Sequence, residues 1–376
     1  MQKKVIALAV AGALGAPAAV MAQSTVQLYG SIYMEYAFTN QGASTNGATK
    51  NAGVDMLQAP GSNIGFKGEE KLGGGMSAWF QCESSADFRG VNGDGFCTRN
   101  SAVGLQGGFG NLYVGIWDTP FKRTIGNVGG RDTGIFGTAD LLTNNSTSTT
   151  DGASAGVFKR RQRNLITYDS PTFSGFQVMG AFSSTNSSTG VTTNSAVAKP
   201  RIWSLGGQYK AGPLELAAGY EKHTKAYGTP TFGGDEEGYH ISGAFTLANG
   251  LKLGAMMTEQ EGDTAAGTTG KNKAYQLGAE WKISGPHNLH FGYTVAGDNK
   301  GNGTLTGRPA VATNSGETGA KMYQIRYLHD LSKRTTASIG YVNLKNDTSA
   351  NYALMGTTMG TGAKASAIAL SISHKF

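Results

Sequence analysis

Six histidines, two cysteines and one tight run of basic residues are the side chains in this sequence best able to do chemistry. The histidines are His223, His240, His287, His290, His329 and His374, and none sits in a His-Glu-x-x-His phrase of the kind that holds zinc on a helix. His287 and His290 differ in parity, so on one strand they face opposite ways. No Gly-x-Ser-x-Gly elbow leads into a helix. Gly267-Thr-Thr-Gly-Lys271-Asn272 lacks the glycine spacing and the Ser/Thr of a phosphate loop. No enzyme, cofactor or metal site is therefore expected. Cys82 and Cys97 flank a glycine-rich loop, 15 positions apart. In an exported chain they are expected to pair, and closing a loop of that length contributes about 3 kcal/mol in the chain-entropy account. Lys159-Arg160-Arg161-Gln162-Arg163 is the basic run. The other basic residues are scattered, which gives no nucleic-acid face.

The elements that carry these side chains read as strands. Ile368, Leu370, Ile372 and Phe376 share one parity, while Ala367, Ala369, Ser371, Ser373 and Lys375 share the other. Alternate residues of a strand face opposite ways, so the segment has one greasy and one small, polar face. The pattern recurs in Val26, Leu28, Ile32, Met34, Tyr36 and Phe38, in Trp203, Leu205 and Tyr209, in Leu214, Leu216 and Tyr220, in Tyr275, Leu277, Trp281 and Ile283, and in Leu289, Phe291, Tyr293 and Val295. The opposite faces hold Gln27, Glu35, Glu215, Glu221, Gln276, Glu280, Lys282 and His290. Charges there are costly beside lipid and cheap beside water, which points to a closed transmembrane barrel with a wet interior. A soluble sandwich would turn its polar face outward.

The chain has 376 residues and opens on Met1-Gln2-Lys3-Lys4, followed by an apolar run to about Val20 and small residues around Ala22. This reads as a secretory signal peptide, 1–22, leaving a barrel over 23–376. Hydrophobic residues make up 39 %, and no later stretch could span as a helix. Seven short turns, such as Leu72-Gly-Gly-Gly75 and Ala211-Gly-Pro213, alternate with eight long Ser/Thr/Asn/Gly-rich loops. Fifteen connections join sixteen antiparallel strands, with short turns at one end and long loops at the other. The longest loop, about 118–159, is the third.

Several phrases resemble the general, non-specific porins of Gram-negative outer membranes, of the β-proteobacterial type. They are Val26-Gln-Leu-Tyr-Gly30, Gly65-Phe-Lys-Gly-Glu69, Val103-Gly-Leu105 leading to Phe109-Gly110, Asn164 to Tyr168 followed by Ser170-Pro-Thr-Phe-Ser-Gly-Phe176, and the terminal Phe376. The resemblance covers nearly all of 23–376. It implies an all-β, sixteen-stranded barrel in the outer membrane and a homotrimer, with the third loop folded inward to narrow the pore. It also implies passive diffusion of ions and small hydrophilic solutes, and Phe376 as an outer-membrane insertion signal.

The resemblance also places arginines on the wall facing that loop. Arg99 and Arg161 match such positions, and Arg163 shares the parity of Arg161. Asn63 stands where the family usually has Arg, which removes one positive charge. Asn63 and Lys67 lie opposite Ile64 and Phe66 and should face water, and Arg161, Arg163, Thr167 and Asp169 lie opposite Ile166 and Tyr168. Leu165 breaks the second pattern, and Val103 and Leu105 share the parity of Arg99. Asp132 and Asp140 are the loop carboxylates taken as facing the arginines. Clustered Arg and Lys in a neck favour anions, so a mildly anion-preferring pore is expected. Three other readings stay open: an outer-membrane enzyme, a channel specific for one solute, and a surface adhesin binding through its long loops.

Overall fold

The computed structural model describes residues 25–44, 53–89, 95–125, 133–138, 141–142, 158–184, 201–225, 234–265, 268–301 and 316–376. Residues 1–22, read above as a signal peptide, and Asp132 and Asp140 lie outside them. The strands are β1 (Thr25–Gln41), β2 (Asp55–Gln58), β3 (Asn63–Gly73), β4 (Met76–Ser85), β5 (Ser101–Gly107), β6 (Gly110–Asp118), β7 (Arg161–Asp169), β8 (Phe176–Ser183) and β9 (Arg201–Ala211). They continue as β10 (Leu214–Thr224), β11 (Glu236–Thr246), β12 (Leu251–Ala265), β13 (Thr268–Ser284), β14 (His287–Ala296), β15 (Lys300–Gly301), β16 (Ala320–Asp330), β17 (Thr335–Asn346) and β18 (Lys364–Lys375).

β2 and β3 pair with successive halves of β1, and β15 extends β14 along β13, so the eighteen segments make sixteen barrel strands. Chain neighbours pair antiparallel all the way round, and β18 pairs with β1 to close the wall. Closure leaves no sheet edge, which is what a strand protein needs in a solvent that cannot satisfy backbone groups. At the seam Gly30 N donates to Phe376 O and Phe376 N donates to Gly30 O, each at 3.1 Å.

The register bears out the alternation. Val26, Leu28, Tyr36, Phe38, Trp203, Leu205, Tyr275, Leu277, Ile368, Leu370 and Ile372 are all exposed large apolar side chains. Their neighbours Ala37, Ser204, Gln276, Ala367 and Ala369 are buried. The apolar side chains that make a core in a soluble protein thus form the outside. The inner face is lined by small and polar residues. Among the described residues, buried apolar clusters form where connections meet that inner face: Ile135, Phe136 and Leu141 join Val342, Leu344 and, from the β17–β18 connection, Tyr352 and Leu354 in one cluster, and Phe121, Ile125, Leu142 and Phe158 join Met256 in another.

Candidate pore constriction

The connection from β6 to β7 begins with Thr119, whose side chain caps the short helix α1 (Pro120–Thr124) by accepting from Lys122 N. Its described parts lie against inward-facing side chains of strands far apart around the wall. Phe121 N donates to Ser204 Oγ at 3.0 Å, and Thr124 Oγ1 is 2.9 Å from His240 Nε2. Further along, Ile135 N donates to Glu35 Oε1 at 2.8 Å. Gly134 makes that approach possible, because it takes a φ of 71° and a Cβ there would fall 2.4 Å from the same carboxylate oxygen. Thr258 Oγ1 and Gln260 Nε2 both donate to Leu142 O.

One sector of the wall, around β1 and β3 to β7, gathers cations. Arg99 Nε donates to Glu83 Oε1 at 2.7 Å, and Tyr29 OH donates to the other oxygen of Glu83. Lys67 stands over the Tyr29 ring, 5.3 Å from its centroid. Asp118 accepts from Lys122 Nζ at 2.6 Å and lies 3.4 Å from Arg161 Nε, which itself donates to Asn100 Oδ1. Arg123 holds Asp169 with both Nη atoms at 2.8 Å and donates to Tyr113 OH. In this group five cations (Lys67, Arg99, Lys122, Arg123 and Arg161) stand with three carboxylates, Glu83, Asp118 and Asp169, while β3 also carries the Glu69–Lys71 pair and β1 the buried Glu35. Burial lowers the pKa of the Lys122 ammonium, against the opposing pull of Asp118, and Arg161 and Arg99 lower it further.

A second group, around β10 and β11, has the opposite character. His223 sits between Glu221, 2.7 Å from Nε2, and Glu236, on Nδ1, and all three are buried. The Phe158 ring stacks on His223 with centroids 4.8 Å apart. Arg160, also buried, feels the charges of both glutamates. A third anchor is Arg326, which donates to Tyr33 OH, Ser338 Oγ and Ser371 Oγ and stands 5.0 Å over the Phe136 ring.

Arg99 reaches the inner wall despite its parity, because it precedes β5 and the regular pairing of β4 with β5 runs only as far as Gln81 and Ala102. Arg161 is buried beside Asp118. Arg163 is not brought into that group. A register shift between Gly115 and Trp117, with Asn164 at a φ of 52°, puts Arg163 in a recess with Cys97, Val114 and Ile166. Leu165 faces inward with Thr167 and Asp169, as its parity requires, an apolar side chain on the inner face. Lys67 is exposed, and Asn63 donates locally to Gly61 O. Cys82 and Cys97 are joined by a disulfide, with Cα atoms 4.8 Å apart. Lys122 and Arg123 were visible only as loop charges. The inward direction of Arg326 is written in the alternation of Tyr323, Ile325 and Tyr327 with Met322, Gln324 and Arg326.

A family model described as Gram-negative porin matches residues 7–349. "Major outer membrane protein P.IB" of Neisseria gonorrhoeae is 36 % identical over 178 residues, 47 % of this chain and 46 % of that protein. The chain thus matches about half the length of such relatives. "Outer membrane porin protein 32" of Delftia acidovorans is 28 % identical over 353 residues, 92 % of this chain and 90 % of that one. Among solved structures, an anion-selective porin from Comamonas acidovorans superposes with a TM-score of 0.74 at 21 % identity, covering 94 % of this chain and all of that one. OmpT of Vibrio cholerae in its trimer form gives 0.64 at 13 % identity, over 94 % of this chain and 99 % of that one.

Proposed function

Because this chain belongs to the Gram-negative porin family, we propose that it forms a water-filled channel in the outer membrane for passive diffusion of ions and small hydrophilic solutes, mildly preferring anions. The surplus of five cations over three carboxylates in the group of Lys67, Arg99, Lys122, Arg123 and Arg161 with Glu83, Asp118 and Asp169 carries the sign of the preference. Basic side chains lining a neck raise the local concentration of anions and lower their entry barrier. The preference is mild because each carboxylate in the sector holds a cation and shares its field. The superposition on an anion-selective porin agrees with this reading.

The same reading takes the 118–159 loop as the constriction, since its described parts occupy the inner face. Residues 1–22 are taken as the cleaved export signal, and Phe376, bonded to Gly30 at the seam, as the insertion signal. A homotrimer is proposed on the likeness to OmpT in its trimer form. No enzymatic step is assigned. The test is a planar bilayer separating unequal KCl solutions. Conductance steps grouped in threes, with a reversal potential on the anion side, are the expected result. Clear cation preference would overturn the selectivity, and no conductance would overturn the channel.

A further inference from the structure

We propose that the inner wall carries a binding site for planar aromatic carboxylates, built from Trp79, Tyr113 and Trp117 beside the Arg123 guanidinium. The proposal deepens the channel reading and rests on it. The three rings form a closed cluster, with centroids 5.4, 5.8 and 5.2 Å apart and planes inclined by 57° to 69°. All three sit on the wet face. Trp79 precedes the outward Phe80, Tyr113 lies between the outward Leu112 and Val114, and Trp117 pairs with the buried Gln162, which reaches the buried, inward Ser183. Aromatic side chains belong to the outer girdles of such a barrel or to a core. Here they pave a surface beside water.

The paving is held in place. Trp79 Nε1 donates to Asn111 Oδ1 at 2.8 Å. Gly104 lies beneath the indole, and a Cβ there would fall 2.7 Å from Trp79 Nε1 and 2.6 Å from Tyr113 Cβ. The glycine lets the indole lie flat along the wall. Tyr113 is buried, but both tryptophans keep part of their surface open.

Charge stands at the edge of the rings. Arg123 engages Tyr113 and Asp169 through three of its five N–H groups, leaving Nε and one Nη2 hydrogen for a carboxylate. Asn111 and Asp169, the partners of Trp79 and Arg123, also line an adjoining polar recess of about 430 Å³. That is room for a single-ring solute. A flat ring gains offset or edge contacts with Trp79 and Trp117, while its carboxylate meets the guanidinium. An aliphatic acid of the same charge gains only the second contact. A neutral sugar would bring no charge to the guanidinium.

The test compares benzoate with cyclohexanecarboxylate, equal in charge and close in size, as blockers of chloride current through the purified protein in planar bilayers. Benzoate should reduce the current saturably at concentrations where cyclohexanecarboxylate does little. Trp79→Leu and Trp117→Leu should each weaken benzoate block by about three- to tenfold, and Trp117→Phe should retain it. Equal block by both acids, or native block by benzoate in the Trp79→Leu, Trp117→Leu protein, would overturn the site. Should the leucine variants not insert, the native comparison of the two acids decides alone. The native salt-gradient potential reports separately on anion preference, so a failure of the channel reading is not mistaken for a failure of this one.

Discussion

The β1/β3–β7 sector and the Glu221–His223–Glu236 group are both ionisable clusters inside one barrel, yet they differ in solvent and in sign. In the first, Lys67 is exposed and Arg123 partly so, and cations are in excess. In the second, two carboxylates clamp a histidine at zero or near-zero exposure under the Phe158 ring. A charge that passing ions can approach shapes permeation. A charge sealed beneath a loop residue acts on the loop instead, because leaving it unpaired is costly. Exposure, more than residue type, therefore separates a selectivity element from an anchor.

Breaking the anchor should have the largest effect. Glu236→Ala or Glu221→Ala removes one partner of a buried ionic group, a loss of about 3–5 kcal/mol in comparable sites. The expected outcome is a lower melting temperature in detergent and a noisier single-channel current as Phe158 loses its footing. Unchanged melting and quiet currents would place the anchor elsewhere.

Next comes the charge excess itself. Arg99→Gln with Arg161→Gln brings five cations down to three against three carboxylates, so the reversal potential should fall toward zero, within the ~59 mV ceiling set by a tenfold gradient. Glu83→Gln should move it the other way. A smaller effect follows from Lys122. A base whose pKa is lowered by burial releases its proton at a lower pH than free lysine, whose value is about 10.4. Anion preference should therefore decline with rising pH before ordinary lysines titrate, and Lys122→Met should flatten that part of the curve. The least effect on current is expected from Cys82→Ser with Cys97→Ser, since the bridge ties β4 to the segment before β5 without adding charge. Proteolysis of the enclosed loop should quicken while the reversal potential stays put.

Most of the fold was legible because lipid imposes a period of two. The parity of Ile368, Leu370 and Ile372, or of Tyr275, Leu277 and Trp281, predicts their exposure in the structure without reference to any other strand. Where the ladder is regular, the same rule reached Asp169 and Thr167. It failed where the ladder breaks. The shift between Gly115 and Trp117 separates Arg163 from Arg161, and the irregular start of β5 turns Arg99 inward against its parity. Lys122 and Arg123 could not be placed at all, since a loop has no period to read. The Trp79–Tyr113–Trp117 cluster needed the register of three strands at once.

The grip of the β6–β7 connection on Glu35, Ser204, His240, Thr258 and Arg326 has a mechanical side. A hollow cylinder squeezed by its surroundings flattens toward an ellipse. A strut fastened to β1, β9, β11, β12 and β16 resists that flattening, as spokes keep a rim round. Compression by the bilayer would then be borne in part by the strut, and the bore would hold its cross-section.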